Sequence, residues 1–217
     1  MPGYRVVNFI DDVLVGTETV DRHVGCVDKL MKRMDDCNLA VRPSKCFLGY
    51  TQVEYLGHVV GKGVIKPMAD KLGKIKDAPI PTTKKQVRSF LGLAGFYRTF
   101  VPHFSEIAAP LTDATQKNKP NQVTWTAELQ SSFNRLKEAL SEEPICKLPD
   151  VSRPFVLRTD ASDTGLGAVL LQEHEGILRM VSCASKKLKG AELNYSTIEK
   201  ECFAIVWGVR KFSPYLS

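Results

Sequence analysis

The 217 residues are 43% apolar, enough to supply a core for one large or two small domains, and carry a net charge of +6. No apolar run nears the roughly 18 residues that span a bilayer, and the first residues lack the basic start and apolar middle of a secretory leader. Six scattered cysteines form no C-x-x-C pair, and no His stands at finger-like spacing; both point to reduced thiols in an intracellular protein and away from structural zinc.

At the N-terminus, Val6-Val7 and Val13-Leu14-Val15 read as two short buried strands, with Asp11 and Asp12 where the hairpin between them turns. Asp favours turns because it accepts hydrogen bonds from its own backbone, so the two acids need no chemistry to be there. Apolar packing on both sides, however, would hold two carboxylates rigidly at the rim of a sheet. That fixed, partly dry setting suits a hard cation such as Mg²⁺, which takes oxygen ligands.

Thr19 caps a predicted helix whose Val20, Val24, Val27, Met31 and Met34 trace one face, with Asn38 as its stop. Val53 to Val60 reads as a strand in which Gly57 marks a bulge or the close approach of another backbone. Gly61-Lys62-Gly63 supplies a tight turn, from which Val64-Ile65 returns before a boundary at Lys66-Pro67. Ala78 to Thr83 is a connector stiffened by two prolines. Thr83 caps the next helix, with Val87, Phe90, Leu91, Ala94 and Tyr97 on one stripe and Gly92 and Gly95 free for a close neighbour. Ser105 opens a short helix that Pro110 ends or kinks, Thr115 to Gln122 is a polar linker, and Thr126 caps a helix carrying Leu129, Phe133, Leu136 and Leu140.

Charge is concentrated in this middle stretch. Between Asp70 and Arg98 seven basic residues, Lys84, Lys85 and Arg88 among them, face two acids, a local excess of five. A solvated helix face and a phosphate-facing surface both account for it.

From Arg153 the period changes to that of strands. Phe155 to Asp160 is a strand ending in an acid, Ala161 to Gly165 a turn, Leu166 to Leu171 the returning strand, and Met180-Val181-Ser182 a weaker third. Thr197 then caps a helix with Ile198, Cys202, Ile205, Val209 and Phe212 as its apolar positions and Glu201 in its first turns.

Taken together these segments resemble the polymerase polyprotein of gypsy-type LTR retrotransposons over nearly the whole chain. Phe9-Ile10-Asp11-Asp12 resembles the aromatic-x-Asp-Asp metal box of the reverse transcriptase palm, with Phe where Tyr is usual. Tyr55-Leu56-Gly57-His58 is similar to the hairpin that grips the primer terminus, and Phe90 to Arg98 with Phe104-Ser105 and Ala109-Pro110-Leu111 to the thumb signature. Trp125-Thr126, Phe133 and Leu136-Lys137 fit the helix joining polymerase to nuclease. Thr159-Asp160-Ala161-Ser162, Gly167 to Leu170 and Tyr195 to Glu201 resemble the opening of the ribonuclease H domain. Six such stretches stand in family order at family spacing.

The resemblance implies an α+β fold: C-terminal palm hairpins over 1–66, a helical thumb over 67–121, and a connection helix with an incomplete ribonuclease H-like domain over 122–217. It implies an RNA-directed DNA polymerase with ribonuclease H activity, both reactions running on two metal ions about 4 Å apart. Mg²⁺ is the expected ion and Mn²⁺ a substitute. Asp11 would bind metal directly with Asp12 in support, and Asp160 and Glu201 would share ions in the nuclease half. Glu199 is the competing carboxylate; residues two apart on a helix do not share a face, and the family motif aligns Glu201. Asp163 reads as a turn residue. Leu56, Gly57 and His58, together with Lys84, Lys85 and Arg88, would contact nucleic acid.

The implied partners are an RNA/DNA primer-template, an RNA–DNA hybrid and the remainder of the polyprotein, with no membrane. Phe9 in place of Tyr removes a hydroxyl near the primer, which bears on efficiency. The family's first palm aspartate is expected upstream of residue 1 and further nuclease acids beyond Leu216, so the chain alone is expected to have low activity. A truncated or decayed copy that only binds nucleic acid is the alternative. An unrelated metal-dependent hydrolase would leave the thumb-like stretch unexplained.

Overall fold

The computed structural model describes residues 4–142 and 144–216, in two units, Met1–Gly63 and Val64–Ser217. In the first, β1 (Tyr4–Phe9) and β2 (Asp12–Thr17) form an antiparallel hairpin with Val7 opposite Leu14 and Phe9 opposite Asp12. Ile10 and Asp11 make the turn, Ile10 at a positive φ of 52°. The strands are not buried as expected: Val6 and Val7 are 44% and 49% exposed. A two-stranded ribbon has two faces, and within its unit α1 (Val20–Asp36) packs on it.

Thr19 caps α1 through its hydroxyl, accepting from the Arg22 N–H, and Asn38 at φ 55° follows the helix end, as the sequence predicts. The inward stripe differs from prediction. Cys26 is buried and Val27, Leu30, Met31 and Met34 are half-buried, whereas Val20 and Val24 are exposed. β3 (Gln52–Tyr55) and β4 (His58–Gly61) pair with Tyr55 opposite His58. Leu56 and Gly57, at φ 47° and 74°, form the two-residue turn between them. Gly57 is therefore a turn residue rather than a bulge, since a primed turn needs positive φ at both central positions.

In the second unit β5 (Val64–Pro67) pairs with β6 (Cys146–Lys147), setting Ile65 opposite Cys146. α2 (Ala69–Lys76) has no counterpart in the sequence reading. Only Leu72 and Ile75 of its eight residues are buried, too few to register a period. α3 (Lys84–Phe96) starts in a capping box between Thr83 and Gln86 and buries Val87, Phe90 and Ala94. Gly95 nears only Phe104, and Gly92 meets nothing within 4 Å, so the close neighbour expected there is absent. α4 (Phe104–Ile107) and α5 (Ala109–Ala114) follow. Pro110 occupies the first turn of α5, where a missing N–H costs nothing, so it opens a helix instead of ending one.

α6 (Ala127–Ser141) runs from Thr126 and buries the four predicted apolar residues. These pack into the helical core, with Phe133 and Phe90 ring centroids 4.5 Å apart, so α6 shares one core with α3. β7 (Phe155–Ala161), β8 (Gly165–His174) and β9 (Ile177–Lys187) form an antiparallel sheet in that order.

α7 (Thr197–Lys211) lies on one face of this sheet and is followed by α8 (Ser213–Leu216). Its cap is Ser196 rather than Thr197. Its buried positions are Lys200, Ala204 and Gly208, leaving Ile198, Cys202, Ile205 and Val209 exposed. Small residues let the helix sit close: a Cβ on Gly208 would come 2.9 Å from Thr159 Cγ2. The predicted stripe chose size where packing chose closeness. No described helix is long and apolar enough to cross a membrane.

Candidate functional site

The β1–β2 hairpin presents Asp11 in its turn and Asp12 at the first position of β2, both exposed. Among the described residues neither carboxylate is hydrogen-bonded to a side chain or ion-paired. The partly dry setting expected from the flanking valines is not formed by this unit, because Phe9 and Ile10 are 54% and 82% exposed. At the second hairpin Leu56 is exposed at the turn and His58 Nδ1 lies 2.9 Å from the Leu56 carbonyl oxygen.

In the nuclease-like half Asp160 sits near the end of β7, opposite Gly167 of β8. Side chains alternate along a strand, and Thr159 meets Gly208 of α7, so Asp160 leaves from the face opposite α7. Glu201 is half-buried in the first turns of α7. Phe203 and Trp207 lie on one flank of that helix's buried stripe, and a 100° rotation per residue puts Glu201 on the other. Asp160 and Glu201 therefore approach from opposite faces of the sheet.

Glu199 is committed elsewhere. Its Oε2 accepts from the Ser196 N–H and hydroxyl, both at 2.8 Å, and the backbone hydrogen bond foremost holds its carboxyl below the usual range. Asp163 stands in the β7–β8 turn, where Lys200 reaches it at 3.2 Å from the buried side of α7.

The sequence reading missed His103. It occupies a left-handed backbone position, φ 54°, just before α4. Its Nε2 is 3.9 Å from Asp160 Oδ2 and its Nδ1 3.7 Å from Glu106 Oε2. The ring covers Gly167, where a Cβ would come 2.8 Å from His103 Cε1. A glycine inside a strand pattern was the available signal, because it marks the close approach of another group.

The three basic residues expected to meet nucleic acid part company. Lys84 Nζ donates to the Gln116 and Lys119 carbonyl oxygens, and Arg88 donates to the Thr115 carbonyl oxygen at 2.6 Å. Both tie down the 115–119 linker, while Lys85 is exposed. Among the described residues no three His, Cys, Asp or Glu gather to hold a metal. Asp11 and Asp12 alone still fit Mg²⁺, which is commonly held by one or two carboxylates with waters and substrate phosphates.

Residues 3–60 match the reverse transcriptase (RNA-dependent DNA polymerase) family, and residues 125–217 match the RNase H-like domain found in reverse transcriptase. The chain is 38% identical, over 96% of its length, to the retrovirus-related Pol polyproteins of transposons 297 and gypsy from Drosophila melanogaster. It covers 19% and 21% of those two relatives, about a fifth of their length. Among solved structures it resembles the foamy viral protease-reverse transcriptase in complex with RNA/DNA hybrid. There the TM-score is 0.81 and the identity 26%, covering 95% of this chain and 28% of that one. A second foamy viral structure, in complex with ds DNA, gives a TM-score of 0.83 at 26% identity over 97% of this chain and 37% of the other.

Proposed function

The chain belongs to the family of retrotransposon Pol polyproteins that join a reverse transcriptase to an RNase H-like domain, and from that premise we propose that it supplies carboxylates to two phosphoryl-transfer sites. Asp11 and Asp12 would serve RNA-directed DNA synthesis on a primer-template, and Asp160 and Glu201 the cleavage of the RNA strand in a hybrid. Mg²⁺, or Mn²⁺ in its place, would when bound activate the attacking oxygen and stabilise the leaving one. One observation carries the reading: Asp11 and Asp12 stand exposed at a hairpin tip, in no ion pair among the described residues, inside the stretch that matches reverse transcriptases. Two acceptor-only groups held this way can take an ion and the phosphates it bridges. Leu56, Gly57 and His58 would guide the primer, and Lys85 would meet phosphate.

With two carboxylates per site, the 217 residues alone are expected to show neither nucleotide incorporation nor hybrid cleavage above background in Mg²⁺ or Mn²⁺. A polyprotein carrying the segment should do both. There, Asp11→Asn should abolish synthesis and spare cleavage, and Asp160→Asn should do the reverse; loss of both activities from either change would refute two separate sites.

A second reading, a copy that binds nucleic acid without cleaving it, draws on His103 beside Asp160. Cleavage by the polyprotein that Asp160→Asn and Glu201→Gln each abolish would dismiss it.

A further inference from the structure

A cleft of about 730 Å³ opens beside β9, between Arg98 and Ser105 on one side and Trp207 and Lys211 of α7 on the other. Five cations line it, Arg98, Lys186, Lys187, Lys189 and Lys211, against a single carboxylate, Glu192. Two of the five are neutralised. Lys186 Nζ is 2.6 Å from Glu192 and sits 4.4 Å over the Phe203 ring, and Lys187 Nζ is 2.7 Å from Asp113. Arg98 donates only to neutral groups, the Ser185 carbonyl oxygen at 3.0 Å and the Ser105 hydroxyl at 3.2 Å. Lys189 and Lys211 are exposed and make no ion pair among the described residues.

We propose that this cleft binds the sugar-phosphate backbone of a nucleic-acid strand, with Lys189 and Lys211 on phosphates and Trp207 against a base. The proposal rests on the nucleic-acid reading above and adds a contact site apart from both carboxylate pairs. Three cations outside any ion pair, with Lys189 within Coulombic reach of Glu192, leave a net positive wall, which releases counterions when phosphates replace solvent ions. Lys189 follows β9 while Lys211 belongs to the last turn of α7, so the charges are spread along the wall and suit a chain better than one small anion. Trp207 and Lys211 lie one helical turn apart, and pairing an aromatic face with nearby cations is how sequence-tolerant strand binding works. The cleft also has a register with the nuclease-like half. Ser185 on its floor is opposite Gly167, which is opposite Asp160. Two strand spacings separate them, roughly 10 Å, or about three base steps along one strand of a duplex.

The test uses the whole chain and a labelled single-stranded oligodeoxynucleotide, with anisotropy followed across a salt titration. Replacing two exposed lysines, Lys189→Gln with Lys211→Gln, should weaken binding several-fold at low salt. It should also flatten the log–log salt slope by about 1.4, two phosphate contacts at roughly 0.7 each. The oligonucleotide should quench tryptophan emission, and Trp207→Phe, which keeps a ring for packing, should abolish the quench. If the parent chain binds no nucleic acid, the broader reading falls and this one with it. Binding by the parent with an unchanged slope in the double variant, or a quench that survives Trp207→Phe, overturns the cleft alone.

Discussion

Residues 4–63 and residues 64–216 reach their shapes by different means. Among the described residues of the first unit only Cys26 is buried, whereas in the second Ile75, Val87, Leu111, Leu136 and Leu140 are wholly covered. Apolar side chains are plentiful in both. What differs is layering: the β1–β2 hairpin of the first unit is a two-stranded ribbon, while the second stacks helices on helices and a helix on a sheet. The first unit is therefore shaped by turns, at Ile10, Asn38, Leu56, Gly57 and Lys62, all of positive φ, and the second by burial. The same contrast separates the candidate acids, since Asp11 and Asp12 are presented by a turn and Glu201 by a packed helix.

The largest effect expected from this contrast is a core truncation. Phe133→Ala removes a ring that packs on Phe90 and, with centroids 5.7 Å apart, on Trp125. It should cost about 3–5 kcal/mol, read as a lower urea midpoint for the protection of α3 and α6 in hydrogen exchange. Val7→Ala in the first unit should stay within about 0.5 kcal/mol, as for an exposed site. Comparable losses from the two would show that the first unit has a core that the contrast denies it.

Next come two glycines with the same substitution. Gly208→Ala would press its methyl on Thr159 Cγ2 and Ala168 Cβ, at 2.9 and 3.3 Å, and lift α7 from the sheet. Overpacking of that kind costs about 1–3 kcal/mol. Gly61→Ala would drive its methyl into the Thr51 carbonyl oxygen and to 2.7 Å from Gln52 Cα, both backbone atoms that cannot rotate away. The energies should be alike and the outcomes different. Gly208→Ala should lower the thermal midpoint of an otherwise cooperative second unit. Gly61→Ala should erase amide protection in β3 and β4, where no described residue is buried. Retained protection there would mean the strands tolerate a side chain at the close approach of Gly61 to Gln52.

Legibility followed the same division. Most caps were readable because one or two residues decide them: Thr19, Thr83 and Thr126 each cap where their spacing predicts, whereas Ser196 caps α7 in place of Thr197 and Gly57 is a turn residue rather than a bulge. Faces were readable only where bulk and burial agree, as at Phe133 and Leu136. They were misread on α7, where closeness to the sheet favoured Ala204 and Gly208 over the larger Ile205 and Val209. Of the candidate site, the acids could be named from their motifs. The approach of His103 to Asp160 joins positions far apart in the chain and has no local pattern beyond Gly167.

The smallest effect concerns the thiols, and it separates buried from exposed chemistry within one chain. Burial pushes Cys146 and Cys183 up to about 12, Cys183 also through the nearby Cys146. In the unfolded chain a thiol titrates near 8.5–9. Between there and about 12 the unfolded state sheds protons that the folded state keeps, so these thiols stabilise the fold fully below about pH 9. Their contribution drains away as pH rises. By pH 10 the loss should be about 1.5 kcal/mol per thiol, measured as the fall in urea stability of the second unit relative to pH 8. Replacing both with Ala should remove that part of the alkaline slope, although the cavities lower stability at every pH. At pH 8 a maleimide should label exposed Cys37 and Cys202 quickly and leave Cys146 and Cys183 untouched until unfolding. An alkaline slope that is the same with and without the two thiols would mean their burial is not what resists ionisation.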